Sequence, residues 1–355
     1  MPEIAGPQEL RYIQAVNAAL RWALETHPEA LIFGEDVALP GGPFGATKGL
    51  HDAFGGRVFD TPISEAAIIG AALGAGMRGR RPIIEIMYGD FMAVAMDQIV
   101  NQVANTRYVS RGTWSAPITI RTQQGYSPGA CAQHSQSLEA WYGHIPGLRV
   151  GIPASPRDAY EILRSAIASE DPTLVIESRL LYPDTGPVTL GGPVEPIGGA
   201  RVVRPGSDVT LVSWSRLVTE SIRAAEAAAA EGHSVEVIDL RWLSPLDFAT
   251  VAESVHRTGR LVIAHEANLT GGFGAEIAAR AARECFWDLD APIERIGAPD
   301  IPIPAAPSLQ AAAIPDATSI LGAIGNVLDG PARRDRPASP AGPRLGQDAA
   351  RSLDA

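Results

Sequence analysis

Short apolar runs alternating with helical periods constrain this chain more than any other feature. Residues 30–33, 58–59, 82–88, 117–122, 148–152 and 173–177 read as buried strands. Between them lie helical patterns, such as Leu10, Ile13, Val16, Leu20 and Leu24, or the stretch 157–168. Strands separated by helices predict a parallel sheet covered on both faces. Residues 183–199 are rich in Pro and Gly and read as a linker. The alternation then returns over 209–212, 217–230, 234–240, 248–255, 260–264 and 275–285. The expected architecture is α/β, with one parallel-sheet domain at 1–182 and a second, smaller α/β domain at 200–328. Residues 329–355 carry no hydrophobic period and are expected to be disordered.

A chain of 355 residues with 46% hydrophobic content can bury two such cores. The net charge of -11, without a basic cluster, argues against nucleic acid or an anionic membrane surface as the main partner. No apolar run is expected to span a bilayer, and the start Met1-Pro2-Glu3 has no signal-peptide pattern, so a cytoplasmic protein is expected. Two cysteines, Cys131 and Cys285, do not make a disulfide framework. Lys48 is the only lysine and sits in a glycine-rich stretch, which leaves little for Schiff-base chemistry.

The stretch Asp60-Thr61-Pro62-Ile63-Ser64-Glu65 places one acid at the start of a helix whose next twelve residues are apolar or glycine on every face. Such a helix is expected inside the protein, with Ser64 as its N-cap and with Gly70 and Gly74 leaving room for another backbone. The helix dipole favours a carboxylate there, while burial disfavours its charged form. A strand runs into Glu65, as another runs into Gly34-Glu35-Asp36, and open α/β sheets bind ligands at that edge. His134 lies in a loop after a strand end. A lone loop histidine is usually solvated, but its convergence with Glu35, Glu65 and Phe91 makes it an acid/base or substrate-orienting candidate. The polar series Asp97, Gln98, Asn101, Gln102 and Asn105 lies along a predicted helix at 93–108 and suggests a subunit contact.

Three motifs fail on physical grounds. Gly125-Tyr126-Ser127-Pro128-Gly129 has the spacing of a nucleophile elbow, but Pro128 lacks the N–H that an oxyanion hole requires there. Gly272-Phe273-Gly274 misses the third glycine of a dinucleotide fingerprint, where Ile277 stands. Cys131, His134, His144 and Cys285 fit no zinc spacing.

Taken together, Phe33-Gly34-Glu35-Asp36-Val37, Asp60 to Glu65, Arg81-Pro82-Ile83-Ile84-Glu85-Ile86-Met87, Asp97-Gln98-Ile99, Ala132-Gln133-His134-Ser135-Gln136 and His144-Ile145-Pro146-Gly147-Leu148 resemble the β subunits of thiamine-diphosphate E1 components of 2-oxo acid dehydrogenase complexes. Val237-Ile238-Asp239-Leu240-Arg241 and Gly274-Ala275-Glu276-Ile277 continue the resemblance, which covers about residues 8–325. It implies a pyrimidine-binding domain followed by a transketolase C-terminal-like domain. It also implies that Glu65 shares a proton with N1′ of the cofactor's aminopyrimidine, that Phe91 packs on that ring with Met87 nearby, that Glu35 adds a supporting acid, and that His134 faces the substrate.

The family's Mg²⁺ motif, Gly-Asp-Gly, is missing, since Phe91 follows Gly89-Asp90. The resemblance therefore implies an α subunit holding Mg²⁺ and the diphosphate in an α2β2 assembly, and a lipoyl-E2 core as acyl acceptor. Some relatives hold a structural K⁺ through a loop matching Ile118, Ala166, Ile167, Ser169 and Asp171, with Ser169 where an acid is frequent. The expected substrate is pyruvate or a branched-chain 2-oxo acid, or acetoin for a close variant of the family. A split transketolase half and a non-catalytic assembly subunit are the rival readings.

Overall fold

The computed structural model describes residues 6–329, so most of the predicted tail lies outside the described residues. Fourteen strands run in chain order among them: β1 Gln8–Arg11, β2 Ala30–Gly34, β3 Val58–Asp60, β4 Arg81–Ile86, β5 Thr119–Gln124, β6 Arg149–Gly151 and β7 Thr173–Ser178, then β8 Thr185–Val188, β9 Arg201–Arg204, β10 Val209–Ser213, β11 Val235–Asp239, β12 Trp242–Ser244, β13 Leu261–Asn268 and β14 Glu294–Ala298. The first sheet has the order β12-β6-β7-β5-β4-β2-β3 and the second the order β14-β13-β10-β11-β9. All pairs in the two sheets are parallel except β12 on β6 and β9 on β11. The expected parallel architecture thus stands, with one antiparallel edge strand added to each sheet. The first sheet also borrows β12 from the second half of the chain. Within the predicted linker, β8 pairs antiparallel with β1 as a separate two-stranded ribbon.

The helices cover the sheets as their apolar faces require. Tyr12–Thr26 buries Tyr12, Val16, Leu20 and Leu24 against Pro156–Ala168 on one face of the first sheet. The latter helix starts sharply because Ser155 accepts from the Asp158 N–H and Pro156 occupies the first turn. In the second half, Asp247 caps Phe248–Thr258 and Gly259, at φ 71°, ends it in the left-handed region. On the opposite face of the first sheet a single core holds Ile68, Ile69, Ile99 and Ile120 together with Val251, Phe273 and Ile277 of the second domain.

Three expectations need correction. The Glu65–Met77 helix is not enclosed: Ile68, Ile69, Ala72 and Gly76 are buried, but Ala67, Ala71, Gly74 and Met77 are exposed. Apolar composition on all faces left its orientation undetermined, so one apolar face stays open. The helix predicted over 93–108 is a 3₁₀ turn (Gly89–Ala95), a π-helical segment (Gln98–Val103) and a short α-helix (Thr106–Val109). Side chains compete with its backbone ladder: Asn105 donates to Val100 O at 3.0 Å and Thr106 to Gln102 O at 2.7 Å. Finally, Pro307–Leu328 is long and apolar enough by composition to cross a membrane. It is two helices, Pro307–Ala313 and Ala317–Leu328, the second capped by Asp316, and Ile320, Ile324 and Val327 bury in the second-domain core.

Candidate active site

The strand order places a topological switch between β2 and β4, because the chain goes from β2 outward to β3 and then returns to the other side of β2. The ends of these strands carry the predicted residues. Gly34 lies opposite both Asp60 of β3 and Glu85 of β4. A Cβ on Gly34 would stand 2.5 Å from Glu85 O, so only glycine allows that close approach. Glu35 therefore leaves β2 beside the loop that leads to Glu65, and Met87 leaves β4 on its other side. Two hydrogen bonds tie the loops together: Thr61 N–H to Gly34 O at 2.9 Å and Ala38 N–H to Asp60 Oδ1 at 2.7 Å.

Glu65 opens its helix with 8% of its surface exposed. Ser64 stands at the N-cap, but its hydroxyl makes no cap bond. Among the described residues no donor hydrogen-bonds the Glu65 carboxyl group. Burial, then the charge of Glu65, raises the Glu35 carboxyl above its ordinary range. A mostly buried glutamate whose carboxyl oxygens have no protein donor and stay open to a ligand, beside a second acid, is the donor set expected where a protein shares a proton with a bound heterocycle, and the residues fit an aminopyrimidine on that ground.

On the far side of β4 stands an aromatic cluster. The His134 imidazole meets Tyr88 at 4.6 Å and Phe91 at 5.5 Å between ring centroids, both edge to face, and Tyr88 meets Phe91 at 5.4 Å. Phe91 and His134 are thus brought together. Glu65, Glu35 and Met87 line the same sheet edge without direct contact to His134. The histidine loop is bound from three directions. Asp90 accepts from the Gln136 side chain at 2.9 Å, Glu266 of β13 accepts from Tyr126 N–H at 2.8 Å, and the Arg179 guanidinium donates to Gly125 O and His134 O at 2.6 and 2.5 Å. Tyr88, Asp90 and Arg179 had no sequence motif; their one legible signal is position just past the ends of β4 and β7.

A cavity of about 820 Å³ borders the histidine loop, and a second of about 840 Å³ opens elsewhere, between Trp141 and His144 of the first domain and Leu243 and Phe273 of the second. The first runs between Gln133–Ser137 and residues 266–270 and 298–303 of the second domain, and neither is lined by Glu65, Phe91 or Met87. Glu65 and its neighbours form an open wall rather than an enclosed pocket.

The carbonyls of the expected K⁺ loop are hydrogen-bonded within the protein. Ile118 O accepts from Thr173 N–H, Ala166 O from Ser169 N–H, and Asp171 O from the Ser169 hydroxyl. Ile167 O and Ser169 O both accept from one Arg81 amino group, at 2.7 and 2.9 Å. Every carbonyl of the set has a protein donor, and the Arg81 guanidinium stands at two of them, so a potassium ion there would share these oxygens with their donors or displace that group. Among the described residues no cluster of three or more His, Cys, Asp or Glu could hold a metal ion.

Models of the transketolase pyrimidine binding domain and the transketolase C-terminal domain match residues 8–185 and 198–320. The chain is 43% identical over 333 residues to the pyruvate dehydrogenase E1 component subunit beta of Leifsonia xyli, covering 92% of this chain and 98% of the relative. It is 43% identical over 326 residues to the 3-methyl-2-oxobutanoate dehydrogenase subunit beta of Mycobacterium tuberculosis, covering 91% and 93%. The beta subunit of acetoin:2,6-dichlorophenolindophenol oxidoreductase from Cupriavidus necator is 40% identical over 326 residues, covering 89% and 96%. A solved split-gene transketolase, an inactive β4 tetramer, superposes with a TM-score of 0.73 over 90% of this chain and 98% of its own, at 23% identity, which speaks to fold alone.

Proposed function

Because this chain belongs to the transketolase-like family of E1 β subunits of 2-oxo acid dehydrogenases, we propose that it supplies the aminopyrimidine-facing wall of a thiamine diphosphate site completed by an α subunit. The observation that carries this is Glu65, a mostly buried residue at the switch point of the sheet whose carboxyl oxygens have no protein donor and remain open. When bound, thiamine diphosphate supplies the nucleophilic carbon and the electron sink for loss of carbon dioxide from a 2-oxo acid. Glu65 would face N1′ of the aminopyrimidine and share a proton with it through its carboxyl oxygens. Glu35, whose carboxyl burial and Glu65 both push toward the neutral form, limits the negative charge beside it. Phe91 and Met87 give the ring an apolar wall. His134, fixed against Tyr88 and Phe91, orients the substrate and exchanges protons with it.

The Mg²⁺ and diphosphate belong with the α subunit, in an α2β2 assembly, and the acyl group passes to a lipoyl arm of an E2 core by reductive acylation. The open apolar face at Ala67, Ala71 and Gly74 supports a partner chain beside the site. The substrate is pyruvate or a branched-chain 2-oxo acid, with acetoin as the second reading because a relative of comparable identity is named for it. The test is decarboxylation with an artificial electron acceptor, by this chain alone and co-expressed with an α subunit. Activity is expected only in the pair, and Glu65→Gln should lower it about a hundredfold or more. A pair that binds the cofactor but is silent with every 2-oxo acid and with acetoin, while turning over ketose phosphates, overturns the reading in favour of a transketolase half.

A further inference from the structure

Arg179 follows β7 with 8% of its surface exposed, and among the described residues no carboxylate forms an ion pair with it. One amino group spends both hydrogens on backbone carbonyls, Gly125 O at 2.6 Å and His134 O at 2.5 Å. The Ser127 hydroxyl stands at 3.5 Å from the same nitrogen. The other two nitrogens, Nε and Nη1, are buried without a partner. The guanidinium carbon lies 5.0 Å from the Tyr88 ring centroid, and Tyr88 in turn meets the His134 imidazole. A buried cation with two unmet donors costs stability, so its contacts need another reason to persist.

We propose that Arg179 is the positioning residue of His134, closing the loop between Gly125 and His134 through two carbonyls and fixing the imidazole through Tyr88. The loop needs such a closure. Gly125 and Cys131 both adopt positive φ, at 83° and 53°, and within the loop the His134 N–H makes only a 3.4 Å bond to Cys131 O. A lysine would keep the charge and could reach the carbonyls through one nitrogen, but it lacks the planar group that lies against the Tyr88 ring. The proposal rests on the substrate-facing role given to His134 above.

The experiment uses the assembled α/β enzyme with Arg179→Met and Arg179→Lys, each alone and with His134→Ala, together with hydrogen exchange over residues 125–136. Arg179→Met should lower kcat about tenfold to a hundredfold with KM little changed, as expected for a misplaced catalytic group. Arg179→Lys should recover part of that loss. In the His134→Ala background Arg179→Met should change kcat less than about twofold, because the two residues act as one unit. Exchange should rise in 125–136 and not in the rest of the first sheet. Multiplying losses, a rise in KM alone, or unchanged exchange would overturn the proposal. Should Arg179→Met not fold, Tyr88→Leu, which keeps the guanidinium and its carbonyls, should lower kcat with KM little changed while exchange over 125–136 stays low; unchanged kcat, or a rise in exchange there, would overturn the proposal. Exchange needs no turnover, so a loosened loop in an enzyme silent towards 2-oxo acids faults the functional reading, whereas a tight loop in an active enzyme faults this one.

Discussion

At the scale of single residues, the polar groups that the sheets bury set the pH response. His265 on β13 is fully buried, stacks on Trp214 at 5.3 Å and is hemmed in by Gly272, Gly274 and Gly297, where any Cβ would meet its ring. Its Nδ1 donates to Ala267 O at 3.1 Å while Nε2 has no partner, which describes a neutral imidazole. Burial lowers its pKa to about 4. The unfolded chain therefore binds a proton below about pH 6.5 that the folded chain refuses, so the contribution is intact above that pH and is lost as pH falls toward 4. The loss amounts to about 3 kcal/mol. Urea unfolding of the wild type should weaken between pH 6.5 and 4 by one proton more than that of His265→Gln; parallel curves would refute the assignment. The acids Glu35 and Glu65 were legible because each follows a strand in sequence. Arg179 was not, since its meaning lies in two carbonyls contributed by a distant loop, and sequence spacing carries no trace of such a contact.

Among the elements, the Glu65–Met77 helix leaves an apolar face open beside the candidate site. A Cβ on Gly74 would meet nothing within 4 Å. Gly74→Ala should therefore stabilise the isolated chain by about 0.5–1 kcal/mol through helix propensity alone. The same methyl should weaken assembly with the α subunit if that chain packs closely over this face. Thermal unfolding and analytical ultracentrifugation separate the two effects, and equal assembly in both variants would remove the face from the interface. Central strands were legible because they bury continuous apolar runs. The strands β1, β8, β9, β12 and β14 were not: they are short, lie at edges or in the separate ribbon, and are partly polar, as in Arg201-Val202-Val203-Arg204. The buried trio of Arg121 with Glu85 and Glu177, on neighbouring strands β4, β5 and β7, was equally hidden, because its members pair only once the register is set.

For the whole molecule, the two domains are joined by charge as well as by a shared core. Asp158, buried in the first domain, accepts from Arg201 at 2.6 Å and Arg241 at 2.8 Å, both from the second, while Glu195 of the connecting segment accepts from Arg241 at 2.5 Å. Burial, then the charge of Asp158, pushes the nearby Asp239 carboxyl up to about 8, so removing that charge gives some relief. Breaking the pair still leaves two guanidinium groups on one carboxylate, and Asp158→Asn should cost about 3 kcal/mol. Calorimetry should show a lower, broadened transition resolving toward two; an unshifted single transition would show the clamp to be neutral. The strand β12 has a wider meaning. Because the second half of the chain donates Trp242–Ser244 to the outer edge of the first sheet, the boundary at which the sequence divides is not a boundary at which the protein can be cut. A fragment ending before residue 200 would display β6 as a bare template for foreign strands, and gene fusions, splits or domain exchanges in this lineage must carry both halves together or supply a substitute edge.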